Sequence, residues 1–340
     1  MADSAVSSDV PEPLFRFGVV TDVQYADIAD GTSFGGTPRF YRNSLLNLRC
    51  AALSRLDATV SRPCHREVVA DWRTRSGLVC ALHLGDILDS FCPREESVDA
   101  LRRVITTFDG LQQPVYHTLG NHCLANLPRP VLNAALGISG DGAGSSYYTA
   151  VLHPGFRLVM LDCFDLSVLG WPPGHPHHEA AVALLASNNP NANKNSPETL
   201  EGLQRRFVAF GGGVSDAQLA WLDATLTQAD AAGERVFVCG HLPCHPEAAA
   251  SVCLMWNYSE VLDILHAHPC VVATFAGHTH REGYHKDERG IHHRVLAAVL
   301  ECPPGTNAYA HVDVWHDGAH LHGSGSVGST PMPFRVLAAV

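Results

Sequence analysis

The chain has 340 residues, enough for one large α/β domain or two small ones. Apolar residues make up 46% and charged residues 17%, so a sizeable core is expected and general disorder is not. A formal net charge of -11 argues against non-specific binding to nucleic acid or to an anionic membrane surface, which both need a positive field. No apolar stretch approaches the ~20 residues of a membrane-spanning helix. Residues 1–13 read as a polar tail without the basic and apolar regions of a signal peptide. The 11 cysteines are irregularly spaced, no Cys-x-x-Cys pair occurs, and Cys80, Cys163, Cys239 and Cys270 sit inside apolar runs. Buried free thiols in a reduced, cytoplasmic compartment are the expectation. Histidine is abundant, 21 residues against 23 Lys and Arg, so its count alone proves no metal site.

Residues 14–20 read as a first strand running into Thr21-Asp22-Val23-Gln24-Tyr25. On extended backbone Asp22 and Gln24 would point to one face. A Gly/Thr-rich loop over 30–37 carries Phe34 and leads through Arg39, Tyr41 and Arg42 into a helical segment over 44–61. Arg39 and Arg42 suit phosphate oxygens or a solvated helix start equally well. A second strand over 77–84 ends in Gly85-Asp86-Ile87-Leu88-Asp89, where the glycine allows a sharp turn. A helix follows over 97–108 with Ser97 as its N-cap. The third strand, over 114–119, ends in Gly120-Asn121-His122. Strand, glycine and polar ligand alternate with helices, the rhythm of an α/β sheet with functional groups at the carboxyl ends of its strands.

Residues 147–152 and 156–162 read as a hairpin around His153-Pro154-Gly155. The Pro-, His- and Asn-rich stretch 166–213 reads as an insertion with short helices overhanging the site, within a single domain over 14–340. Ser215 opens a helix with Leu219, Leu222, Leu226 and Ala229 at helical spacing and Gly233 at its end. A strand over 235–239 ends in Gly240-His241. Residues 253–258 precede a helix over 259–268, and Trp256 and Tyr258 suit a core or a platform for a flat ring. The strand over 271–276 ends in Gly277-His278-Thr279-His280, a turn that is half of a metal site or a solvated strand end. Residues 292–299, 309–315 and 319–322 are expected as antiparallel strands closing a second sheet.

Taken in order from Asp22 to His280, these motifs resemble those of the calcineurin-like metallophosphoesterases. The resemblance implies a four-layer α/β/β/α sandwich of two mixed sheets with a dinuclear metal site at the strand ends. It places Asp22, Gln24, Asp86 and His280 on one ion and Asp86, Asn121, His241 and His278 on the other, with Asp86 bridging. His122 stands beside the metals as a catalytic group. Oxygen and imidazole donors suit Mn, Fe or Zn. Two such ions ~3.5–4 Å apart can generate hydroxide and clamp a phosphoryl group, while His122 protonates or stabilises the leaving oxygen.

Several positions depart from the common pattern. Gln24 stands where most of the family has histidine, which shifts the preference toward Mn²⁺ or Mg²⁺. Cys123 follows the Gly-Asn-His motif in place of an acid. Asp89 is followed by Ser90-Phe91, unlike the Arg-Gly of protein phosphatases, and is not the tyrosine of purple acid phosphatases. Thr-Asp-Val-Gln-Tyr-Ala-Asp and Leu-Met-Trp-Asn-Tyr resemble one branch, manganese enzymes that hydrolyse the pyrophosphate of ADP-ribose, CDP-choline and other CDP-alcohols. That implies a small-molecule nucleotide substrate contacted by Phe34, Arg39, Tyr41, Cys253, Asn257 and Tyr258. No nucleic-acid or membrane partner is expected, and the chain is expected to be a monomer. Two alternatives stay open. One is a phosphodiesterase or phosphomonoesterase of the same fold acting on cyclic nucleotides or other small phosphoesters. The other is an inert metal-binding scaffold, against which the intact ligand set and His122 argue.

Overall fold

A computed structural model describes residues 11–33, 35–49, 67–139 and 144–335. In chain order the strands are β1 (Phe15–Val20), β2 (Gly31–Thr32), β3 (Pro38–Arg39), β4 (Leu78–His83), β5 (Val115–His117), β6 (Tyr148–His153), β7 (Phe156–Met160), β8 (Arg235–Cys239), β9 (Val271–Ala276), β10 (Gly283–Lys286), β11 (His292–Val295), β12 (Ala308–Val314), β13 (Gly318–Gly325) and β14 (Thr330–Pro333). The α-helices are α1 (Tyr41–Leu48), α2 (Val68–Arg73), α3 (Ser97–Ile105), α4 (Asn121–Asn126), α5 (Arg129–Leu136), α6 (Pro176–Asn188), α7 (Asp216–Ala231) and α8 (Tyr258–Ala267).

The central strands are buried on both faces, so each needs a neighbouring sheet on one side and helices on the other. The first sheet runs β14-β13-β12-β1-β4-β5 and the second β10-β11-β9-β8-β7-β6. Each is mixed: β1 pairs parallel with β4 and antiparallel with β12, and β9 pairs parallel with both β8 and β11. Phe17 of β1 meets Phe237 of β8 and Phe275 of β9 edge-on, with centroids 5.3 and 5.9 Å apart, in the core between the sheets. Outside the first sheet, the Trp72 ring of α2 lies so close to β1 that a β-carbon at Gly18 would come within 2.4 Å of it. Outside the second, Leu222 and Leu226 of α7 and Leu265 of α8 pack with Val236 and Val238 of β8. Fully burying each such side chain contributes about 1.5–3 kcal/mol. This is the α/β/β/α sandwich of two mixed sheets that the motifs imply.

Three local expectations are corrected. The C-terminal strands do not close one antiparallel sheet. β11 joins the second sheet parallel to β9, whereas β12, β13 and β14 extend the first sheet antiparallel from β1. Burial on both faces, as in β11 and β12, carries no information about which sheet a strand joins. The helix expected over 44–61 is α1, Tyr41–Leu48, and residues 50–66 lie outside the described residues. Ser97 is the first helical residue of α3 rather than its cap, and its hydroxyl donates to the Pro93 carbonyl at 2.9 Å. Ser215 does cap α7, accepting the Gln218 N–H at 3.2 Å.

The segment 166–213 leaves and re-enters the domain through a Leu166–Gly213 bridge. Inside it Ala181, Leu185, Leu200 and Phe207 form a small core that Trp256 completes. Its Asn-rich run is held by Asn189, which is buried: Nδ2 donates to the Phe207 carbonyl at 2.7 Å and Oδ1 accepts the Asn191 N–H at 2.9 Å.

Candidate metal centre

The ends of β1, β4, β8 and β9 and the start of α4 converge at one edge of the sandwich. Asp22, Gln24 and Asp86, from the first sheet, have φ of 50°, 43° and 52°. His278 and His280, from the second, have 67° and 59°. Among the described residues these are the non-glycine positions with positive φ. The left-handed region costs an ordinary residue about 1–2 kcal/mol, and such outliers cluster at functional sites. The extended i, i+2 geometry expected for the two pairs is therefore not what aligns them. Left-handed turns beyond the strand ends do.

The side chains meet across the gap between the sheets. Asp86 Oδ2 lies 3.2 Å from His241 Nε2, which lies 3.2 Å from His278 Nδ1. His280 Nε2 lies 3.5 Å from Asp22 Oδ1 and 2.7 Å from Gln24 Nε2. Gln24 Nε2 also reaches Asp22 Oδ1 at 3.3 Å and Asp86 Oδ2 at 3.5 Å. The histidines are oriented from behind. His241 Nδ1 donates to the Leu84 carbonyl at 2.7 Å and His280 Nδ1 to Glu301 Oε1 at 2.8 Å, which turns Nε2 of each ring inward. The His278 N–H and the Thr21 hydroxyl both donate to Asp22 Oδ2, at 2.9 and 2.7 Å.

The glycines before the ligands are explained by space more than by turning. A β-carbon at Gly120 would sit 2.0 Å from Asp86 Oδ1, and one at Gly277 would sit 2.0 Å from Thr21 Oγ1 and 2.5 Å from Asp22 Oδ2. Gly85 needs both freedoms, with φ +93° and a β-carbon position 2.6 Å from His241 Nδ1.

Burial would raise the carboxyls, but the facing imidazoles outweigh it. His241 holds Asp22 and Asp86 below the ordinary carboxylate range, with His280 adding to the effect on Asp22. Burial likewise works against charge on His241, yet Asp86 and Asp22 push it up to about 9. His280 is pushed up to about 10 against burial by Asp22 and Glu301. His278 falls to about 3 through burial and its neighbour His241. In the protein alone, protons on imidazoles balance the buried acids.

The donors fit divalent cations on direct structural grounds. Gln24 Oε1 and Asn121 Oδ1 are buried without a hydrogen-bond partner. A buried acceptor left unpaired is costly, and a cation satisfies it. Rotating the Gln24 amide about its terminal bond exchanges its two atoms and presents the oxygen to the cluster. Two carboxylates, two amide oxygens and three imidazoles make a set for Mn, Fe or Zn.

His122 follows Asn121 at the start of α4. Its backbone N–H donates to Asp86 Oδ1 at 2.9 Å, and its Nδ1 accepts the Ser90 N–H at 2.9 Å. Asp89 lies beside it, fully buried, with Oδ2 3.5 Å from His122 Nδ1 and 3.4 Å from Arg39. Arg39 Nε is a buried donor with no partner. Arg42 instead forms an exposed ion pair with Asp27 at 2.6 Å. Tyr41 is buried, and burial raises its phenol, with the Asp89 carboxylate adding to this. Cys253 is part-buried and close enough for the Asp22 charge to add to burial in pushing its thiol up to about 11. The Asn257 amide is engaged with Val214 N–H and carbonyl, at 3.1 and 3.0 Å, so it pins the insertion neck. Tyr258 lies under the Arg206 guanidinium at 5.3 Å. Phe34 lies outside the described residues.

Three residues at the centre were missed from sequence. Glu301 follows no motif and left no local signal. Asp89 was visible in its motif but was used only to exclude other branches. Phe210, at the end of the insertion, places its ring 6.0 Å from that of His278, and nothing in its neighbourhood in the chain pointed there.

Two sheets that gather carboxylate, amide and imidazole donors at facing strand ends define a metal-dependent phosphoesterase architecture. The family model described as calcineurin-like phosphoesterase matches residues 15–282, and the chain belongs to that family. Among curated relatives, a manganese-dependent ADP-ribose/CDP-alcohol diphosphatase from Arabidopsis thaliana is 43% identical over 96% of this chain and 99% of its own length. One of the same name from Homo sapiens is 38% identical, over 96% and 95%. The crystal structure of a dimetal phosphatase from Danio rerio superposes with a TM-score of 0.86 at 36% identity, covering 95% of this chain and all of that one.

Proposed function

We propose that the protein is a manganese-dependent diphosphatase that hydrolyses the pyrophosphate of ADP-ribose, CDP-choline and other CDP-alcohols to a nucleoside monophosphate and a phosphorylated product. The observation that carries the reading is the convergence of left-handed ligand residues beside two amides whose buried oxygens lack a partner, in a chain similar over nearly its full length to enzymes named for this activity. Asp22, Gln24, Asp86 and His280 would hold one ion, and Asp86, Asn121, His241 and His278 the other. Bound there, two divalent ions supply Lewis acidity and positive charge for a diphosphate. Gln24, a neutral and hard donor, suits Mn²⁺.

The protein's own groups complete the reaction. Because His122 Nδ1 accepts the Ser90 N–H, the neutral ring carries its proton on Nε2, where it can pass to the leaving oxygen. Asp89 holds the Arg39 guanidinium beside that ring, and the lack of a protein partner for Arg39 Nε supports a phosphate oxygen as its acceptor. Phe210, at the end of the 166–213 segment, beside His278, and Cys253, within reach of the Asp22 charge, support a substrate approach along this side of the centre. Nine described cysteines are free thiols, eight of them buried, which supports a reducing, cytoplasmic compartment. The protein is proposed to be a monomer. Light scattering checks that point.

The test starts from metal-stripped protein given Mn²⁺, Mg²⁺ or Zn²⁺ in turn, with ADP-ribose, CDP-choline and a simple aryl phosphodiester as substrates. Mn²⁺-dependent release of AMP and CMP that outpaces the aryl ester is the expected result. Turnover of the aryl ester with both nucleotides untouched would move the enzyme to a phosphodiesterase of the same fold.

A further inference from the structure

Outside the centre, the described residues bring three metal-ligating side chains together in two places, His311–Asp313–His322 and His245–Asp287–His293. The first already holds resident cations. Arg16 bonds Asp313 at 2.8 Å, and Arg75 stands 3.0 Å from His311 Nε2. The second is different. Asp287 lies in the turn between β10 and β11 and is 5% exposed. Its Oδ1 accepts the N–H groups of Arg289 and Ile291, at 3.0 and 2.8 Å, which fixes the carboxylate. Its Oδ2 faces His266 Nε2 at 2.9 Å and His293 Nε2 at 3.0 Å. Its hydrogen-bond partners are thus two imidazoles and two amides, with no guanidinium or ammonium among them.

We propose that His245, Asp287 and His293 form a zinc site separate from the dinuclear centre, with His266 supporting the carboxylate. One donor atom from each of the three lies within 4.8 Å of the others. Zinc bonds of ~2.0–2.1 Å in a tetrahedron place donors ~3.3 Å apart, so small side-chain movements close the site. The support behind the ligands is already built. Thr274 Oγ1 lies 2.9 Å from His293 Nδ1, and Thr274 and His293 are register partners on β9 and β11. When His293 Nε2 takes the metal, its proton moves to Nδ1, where Thr274 Oγ1 accepts it, so this ligand releases no net proton. The His245 ring stacks between those of His285 and His293, with centroids 4.4 Å from each. His245 Nδ1 accepts the Glu247 N–H at 3.2 Å, and a metal on this ring takes the place of that contact or of the proton on Nε2. The ligands come from the loop after β8, the β10–β11 turn and β11, and His266 comes from α8. Zinc here ties the edge hairpin to the second sheet and its outer helix. The proposal does not rest on the reading of the catalytic site.

The test is zinc titration of the metal-stripped full-length protein against a chromophoric chelator. Asp86→Ala empties the dinuclear centre and should leave one tight equivalent. Adding His245→Gln should weaken that equivalent by more than the ~10–100-fold that loss of a supporting partner brings. Should Asp86→Ala not fold, His245→Gln alone should bind one equivalent fewer than wild type. Co²⁺ in place of Zn²⁺ should give a visible absorption band of tetrahedral type that His245→Gln removes. An Asp86→Ala protein that binds no zinc overturns the proposal, as does a His245→Gln protein that retains the full wild-type stoichiometry.

Discussion

The two sheets contribute to the centre in different chemical currencies. The first supplies oxygen donors, Asp22, Gln24, Asp86 and Asn121. The second supplies nitrogen donors, His241, His278 and His280. Neither half is stable as a site alone. Buried carboxylates from one sheet are kept ionised by imidazoles from the other, and those imidazoles are raised to about 9 and about 10 by the same contacts. The difference teaches that the site is a property of sheet packing. The glycines at 85, 120 and 277 exist largely so that donors from facing elements can approach to that distance.

The sharpest way to break the comparison is to remove Asp86, the residue proposed to bridge both ions. Asp86→Ala should lose both metals and more turnover than the ~10²–10⁴-fold expected for removing a general acid. Elemental analysis checks it, and near wild-type metal content would refute the bridging role. His122→Ala should lose roughly 10²–10⁴-fold in kcat while metal content stays near wild type, because His122 belongs to the oxygen-donor side without being a donor itself. Unchanged turnover would take His122 out of the mechanism.

Glu301 probes the nitrogen side. Glu301→Ala removes the acceptor behind His280 and should weaken Mn²⁺ binding ~10–100-fold, with partial rescue in Glu301→Gln. Equal effects of the two substitutions would point to charge in place of orientation. The smallest effect belongs to a histidine at the end of α8, away from the centre. Burial opposes charge on His268, but Asp223 and Asp230, at 3.0 and 2.7 Å, raise its pKa. A raised folded pKa stabilises below the unfolded value of ~6.5, and the benefit is lost as pH rises through the folded value. His268→Gln should therefore cost about 1 kcal/mol at pH 6 and progressively less in alkali. A loss that is flat across a thermal-unfolding pH series would show that the contact works by packing.

Much of this was legible because each donor follows an apolar strand and a glycine, a pattern that survives in a linear string. Strand identity came through for the same reason. What stayed hidden depends on distance in space. The sheet assignment of β11 against β12 could not be read, since both are buried nearly throughout and burial does not name the partner sheet. Glu301 had no motif, and its role exists only because the turn after β11 returns to His280. The Asn257 amide was expected at substrate, yet its donors and acceptor close the insertion neck. The left-handed backbone at the ligands was likewise invisible, because aspartate, glutamine and histidine carry no propensity that announces it as glycine does.

The order of donors along the chain has a consequence for assembly. All the oxygen donors precede residue 122, and all the imidazole donors follow residue 240. A chain emerging from the ribosome exposes a hard, weakly binding set first, and domains fold as their chain becomes available. Softer, tighter-binding ions find no complete set until the second sheet has arrived. The full donor set proposed for the centre therefore exists only once the second sheet is in place.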